Sequence, residues 1–305
     1  MDIVTLFYNN DLEIKLLKLQ SMSFSYLDTN LINNIFIIYN DIGEFDLNLI
    51  INNYPILYRE RVRLVNRQQC SAFIDIKSEP SSWLNQQLVK LFVSKIVKSE
   101  HYLMLDSKNH FIRNINYSDC FDSNGKPKIH LDTYTKKEGM IVRYFNCLDY
   151  FNVQSDLVFT TVTPFLFKTQ YVLDMMNFIS EKENTTFTKF FYKNKFKYTE
   201  FFLYSSYLIY SNKIVEYWTV KNRNKNFKSI MCNIESSWNA CENTITPVSK
   251  NREVKVFGLH RIAIQKMNKE YKRKLNDFYK LFYNSEICEF IEKDLLFTPL
   301  DNLSI

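Results

Sequence analysis

Short runs of continuous apolar residues alternate along this chain with longer stretches whose apolar positions recur every three or four residues. "DIVTLFY" (residues 2–8) has the β-branched and aromatic content of a strand, and after a polar loop Leu12, Leu16, Leu17 and Leu19 fall at helical spacing. "NIFIIYND" predicts a second buried strand ending in Asn40 and Asp41, "FDLNLIINNY" is amphipathic, and "RVRLVN" predicts a third short strand. Alternation of this kind predicts an α/β fold with a parallel sheet and crossover helices, whose ligand would sit at the carboxyl ends of the strands.

Beyond Pro80, "SSWLNQQLVKLFVSKIVKSE" opens with a Ser81/Ser82 cap and places Leu84, Leu88, Leu91, Phe92 and Ile96 on one helical face, leaving Gln86, Gln87 and Lys90 on another. It runs straight into "HYLMLDSKNHF", an apolar strand followed by a polar turn that starts at Asp106. The middle, from Cys120 to about Val153, reads as loop-rich, with a turn at Asn124-Gly125 and Pro127. From residue 154 a strand or extended segment, Pro164 and a helix follow, and then Thr199 as the cap of the aromatic helix "EFFLYSSYLIY". "REVKVFGLHRIAI" is strand-like, and charged helical segments run from about Asn268 to Lys293. There is no internal repeat and no linker rich in Pro, Gly or Ser, so a single domain with C-terminal helical additions is expected.

Composition removes several classes. Four glycines in 305 residues leave no room for a dinucleotide fingerprint or a P-loop. The net charge of +6 is spread among Asn, Tyr and Phe, compatible with a solvated surface and with attraction to phosphates or anionic lipid. Nucleic-acid binding has only charge and aromatic content behind it, and the aromatics fall inside apolar periodic segments where burial explains them. Six cysteines without a CxxC pair point to reduced thiols and a cytoplasmic protein. No apolar window approaches the roughly 20 residues of a membrane span.

The chemistry concentrates at Asp106. A strand-end aspartate is often only a turn cap, but here Ser107, Lys108, Asn109 and His110 follow at once. His110 precedes a hydrophobic residue and takes a supporting place at most. Glu200, in the first turn after Thr199, either complements the helix dipole or serves as a base. His260 lies between "VFGL" and "RIAI"; it is either a hydrogen-bonded core residue or part of a functional loop with Gly258 and Arg261.

Five pieces, "WLNQQLVKL", "YLMLDSKNHF", "TPFLF", "TEFFLY" and "FGLHR", together resemble a bacterial family of GT-A-type glycosyltransferase-like proteins from surface-polysaccharide loci. The resemblance spans residues 1–265 and implies a Rossmann-like, nucleotide-sugar-binding catalytic domain, with 266–305 as its helical extension. It implies transfer of a sugar from a nucleotide-diphosphate donor to a glycan or lipid-linked glycan, in the cytoplasm or at the inner face of the membrane. Asp106 falls at the place of the DxD motif and His260 where such enzymes add a metal ligand or a diphosphate contact. The resemblance also places Gln87, Lys90 and Asn109 near the donor, and Tyr8, Asn9 and Asp11 at the nucleobase and ribose. Lys108 stands where the second carboxylate of DxD would be. An ammonium there opposes Mn²⁺ or Mg²⁺, so either no metal is used and Lys108 neutralises the diphosphate, or Asp106 and His260 hold the ion alone, or Lys108 is an exposed turn lysine. A binding module that has lost its metal site is the competing reading.

Overall fold

Strands β1 (Asp2–Phe7), β2 (Ile35–Tyr39), β3 (Val62–Asn66), β4 (His101–Asp106) and β7 (Phe165–Lys168) form one sheet in the order β3-β2-β1-β4-β7. The computed structural model describes residues 1–41, 43–66, 69, 83–131, 139–220, 227–230, 245 and 248–297. The first four strands of the sheet are mutually parallel, and β7 runs antiparallel along β4. Every residue of β1 and β2 is buried, which is why they read as unbroken apolar runs. The edge strand β3 exposes Arg63.

Helix α1 (Asp11–Met22) follows β1, its first turn capped by Asn10, whose side chain accepts from Leu12 and Glu13 N–H. Helix α2 (Trp83–Phe92) precedes β4; the expected Ser81/Ser82 cap and Pro80 lie outside the described residues, as do Cys70, Cys232 and Cys241. Cys120, Cys147 and Cys288 are free.

One expectation fails in the middle. Residues Gly139–Phe151 form a three-and-a-half-turn helix, α3, where loop was expected, with Ile141, Tyr144, Cys147, Leu148 and Phe151 buried at helical spacing. Its β-branched and aromatic content hides that period, and packing decides against local propensity. Around Pro164 the chain is strand from Phe165 to Lys168. Helices α4 (Thr169–Lys182), α5 (Phe187–Lys193) and α6 (Glu200–Tyr210) then pack with α2 and α3 over one face of the sheet.

A second, smaller sheet joins β5 (Asn109–Phe111), β10 (Val256–Leu259) and β9 (Phe227–Ile230); β6 (Lys128–His130) pairs with β8 (Trp218–Val220). Helices α7 (Arg261–Lys266), α8 (Lys269–Tyr279) and α9 (Ser285–Phe290) enclose a third core against α1 and β10. Among the described residues no helix is long and apolar enough to cross a membrane.

Candidate active site

The strand order changes direction at β1, with β2 on one side and β4 on the other, so a crevice is expected at the carboxyl ends of β1 and β4. Asp106 ends β4 there, in register with Leu6 of β1. The turn after it is fixed from two sides. The Asp106 N–H donates to Asn109 Oδ1 at 2.9 Å. Gln20 of α1, fully buried, donates through Nε2 to the carbonyls of Asp106 (2.9 Å) and Asn109 (2.7 Å). Its own oxygen accepts from Thr5 Oγ1 at 2.8 Å.

The Asp106 carboxylate is surrounded by cations. Oδ1 lies 3.1 Å from Lys90 Nζ, and Oδ2 lies 2.9 Å from Lys108 Nζ and accepts from Thr163 Oγ1 at 2.9 Å. Lys90 reaches a second carboxylate, Glu200 Oε1, at 3.4 Å, and sits 5.1 Å from the Phe201 ring. Gln87 and Lys90 therefore do not stand on an open helix face, as their spacing suggested; both are buried, because α2 is covered on that side as well. Burial alone would raise the Asp106 pKa, but Lys108, Lys90 and the Thr163 hydrogen bond hold it well below the usual carboxylate range. Glu200 goes the other way: burial raises it, and Lys90 offsets only part of the rise. Lys90 stays protonated, since the two carboxylates outweigh its desolvation.

The second sheet delivers the remaining groups. Leu259 N–H donates to the Lys108 carbonyl at 3.0 Å, which seats the end of β10 beside the Asp106 turn. His260 then caps α7, its Nδ1 accepting from Ile262 N–H at 3.2 Å. Burial, reinforced by Lys108 and Arg261, lowers its pKa, so the ring is neutral and its proton resides on Nε2. Arg261 pairs with Glu13 Oε1 at 3.4 Å, and the other oxygen of Glu13 accepts a short hydrogen bond from Ser107. Burial raises the Glu13 pKa, with Ser107 and Arg261 opposing. Tyr8 lies within the field of this group: burial raises its pKa, followed by Asp106 and Glu13.

The structure thus brings together Asp106, Lys108, Lys90, Glu200, Asn109, His260 and Arg261, with Tyr8 at their border. Asp11 is exposed and paired with Lys15 at 2.8 Å, and the Asn9 N–H donates to Asp41 at 3.4 Å. His110 is a core residue, bonded to Tyr279 OH at 2.9 Å, its pKa lowered by burial to about 3. Three contributors escaped the sequence reading, Glu13, Gln20 and Thr163, while Ser107, noted among the polar residues after Asp106, turns out to bond to Glu13. Glu13 carried a signal, an acid in the first turn after the first strand, but that position is also ordinary dipole pairing.

A divalent cation fits these residues poorly. Two ammonium groups already occupy the Asp106 carboxylate, and His260 presents an N–H where a ligand needs a lone pair. Among the described residues no three His, Cys, Asp or Glu side chains gather as a metal site. The donors suit an anion better.

The model of a family of unknown function, DUF6492, matches residues 7–269. No curated protein sequence matches the chain. Similar solved structures include the galactosyltransferase LgtC with donor and acceptor sugar analogues (TM-score 0.48, 13% identity, covering 95% of this chain and 100% of that one). The bifunctional glycosyltransferase WbbM is similar at TM-score 0.48 and 14% identity, with 99% of this chain covering 50% of that one. Mouse xyloside xylosyltransferase 1 follows at TM-score 0.45 and 8% identity, over 85% of this chain and 97% of that one.

Proposed function

The chain belongs to the DUF6492 family of unknown function, and on that premise we propose that it is a GT-A-like glycosyltransferase using a nucleotide-diphosphate sugar donor and a surface-glycan or lipid-linked glycan acceptor. One observation carries the reading: two carboxylates and two lysines, with His260 and Arg261 beside them, converge on the carboxyl edge of a mostly parallel sheet where its strand order turns.

In this reaction the acceptor hydroxyl attacks the anomeric carbon while the bond from that carbon to the diphosphate oxygen breaks. Lys108, Arg261 and the His260 Nε2–H meet the charge that develops on the leaving diphosphate, the task a metal performs elsewhere. Glu200, whose pKa is raised by burial, takes the hydroxyl proton, which gives inversion. Because Lys90 touches both carboxylates, it keeps Asp106 as counter-ion when Glu200 becomes neutral, so no bare charge is created.

A second reading, a sugar-nucleotide-binding module without catalysis, is favoured by one specific fact: Glu200 is only 4% exposed, and both Asp106 oxygens are already paired. Turnover of a panel of sugar nucleotides in EDTA separates the two. The transferase reading expects transfer or slow donor hydrolysis without metal, and Glu200→Gln lowering turnover by about 10²–10⁴-fold with donor affinity little changed. Donor binding without turnover under any condition would establish the module instead.

A further inference from the structure

A surface away from the charged cluster combines exposed aromatic rings with cations that have no carboxylate partner among the described residues. Lys193 at the end of α5 and Lys195, Phe196 and Lys197 in the loop between α5 and α6 are all exposed. No acid occurs between Glu183 and Glu200, while Lys189 adds a fourth cation on α5. None of these lysines has a carboxylate partner among the described residues.

Phe196 is held at φ +67°, in the left-handed region. A bulky side chain there costs on the order of 1–2 kcal/mol, and the strained residue turns its ring outward, 59% exposed. That ring stacks on Trp83 at the start of α2, centroids 6.1 Å apart and planes 7° from parallel, and Trp83 is itself 42% exposed. The Arg143 guanidinium of α3 lies 4.8 Å from the Trp83 ring. Asn146, one turn further along α3, donates to the Lys197 carbonyl at 3.2 Å, joining helix and loop. The same helix exposes Val142 and Phe145, with Asp149 at the far end of that stripe.

We propose that this aromatic and cationic surface docks on an anionic lipid bilayer. Trp and Phe favour the membrane interface, and lysines around them favour anionic headgroups. Four lysines and no acid over residues 184–199 give this surface the charge complementary to a layer of anionic headgroups. Trp83 begins the helix that carries Lys90, about 10 Å further along its axis, so docking here sets the charged cluster close to the lipid surface.

The test is co-sedimentation of the full chain with phosphatidylcholine vesicles, with and without a minority of phosphatidylglycerol, in the absence of any sugar nucleotide. Its outcome is therefore independent of the transferase reading. Binding is expected only to the anionic vesicles and should be reversed by salt. The combined variant Lys193→Gln, Lys195→Gln and Lys197→Gln should weaken it about a hundredfold. Phe196→Asn should weaken it about tenfold while leaving the melting temperature unchanged or higher, because Asn accepts the left-handed backbone. If either variant unfolds, the other decides. Equal binding to neutral and anionic vesicles, no binding, binding unaffected by the substitutions, or retention of a soluble acidic glycan instead of vesicles would each overturn the proposal.

Discussion

Lysine–carboxylate pairs occur in two parts of this molecule at nearly the same distance and with opposite consequences. On the C-terminal helices Lys274–Glu270 and Lys280–Asp277 pair at 3.1 Å and Lys293–Glu289 at 2.5 Å, all on exposed side chains. At the sheet edge Lys90–Asp106 and Lys108–Asp106 pair at 3.1 and 2.9 Å, largely out of water. The outer pairs trade one hydration shell for another and are screened by salt. The inner ones can exist only together, since removing one member leaves a charge with neither water nor partner. Separation alone says nothing about the energy; the surroundings decide it.

The strongest way to break this contrast is Lys90→Met, which leaves Asp106 and Glu200 buried side by side without their shared cation. Denaturant unfolding at neutral pH should show a loss of about 3–5 kcal/mol, and a loss near zero would mean that water already reaches the cluster. Lys108→Ala keeps most of the packing but removes the more accessible cation. Transfer in EDTA should fall about 10²–10³-fold, and addition of Mn²⁺ should not restore it. Recovery with Mn²⁺ would return the metal to the site.

A smaller effect is expected in acid. Asp106 ionises at a lower pH in the folded chain than in the unfolded one, so the unfolded chain binds the proton first. Its stabilisation is present above about pH 4 and is lost as pH falls further. Asp106→Asn should therefore flatten the acid limb of the stability profile, measured as melting temperature against pH. Least of all, Lys293→Ala should leave the melting temperature where it is; a clear drop would show that the outer pairs are not the loose contacts their exposure indicates.

Much of the frame was legible because burial on both sheet faces writes continuous apolar runs, and Asp106 stood out as the polar break at the end of one. The Thr199 cap of α6 was equally plain: its hydroxyl accepts from Phe202 N–H at 3.2 Å. Helix α3 was not, since β-branched and aromatic residues fill a pattern that reads equally as loop or strand. The interior of the site was harder still. Glu13 meets Ser107 across 94 positions and Thr163 meets Asp106 across 57, and local spacing carries no information about such pairings. The burial of Lys90 was hidden for the same reason, because a polar helix face looks identical whether it meets water or a second layer of helices.

Gln20 has a consequence for how such a site can change over generations. The backbone from Asp106 to Asn109 is pinned by Gln20 and by the Asn109 side chain, and nothing in that pinning uses the side chain of residue 108. The shape of the turn is thus inherited separately from the charge it displays. An exchange at residue 108 therefore leaves the hydrogen bonds that shape the turn in place, and its cost falls on the charge balance around Asp106. Lys108→Asp tests that separation.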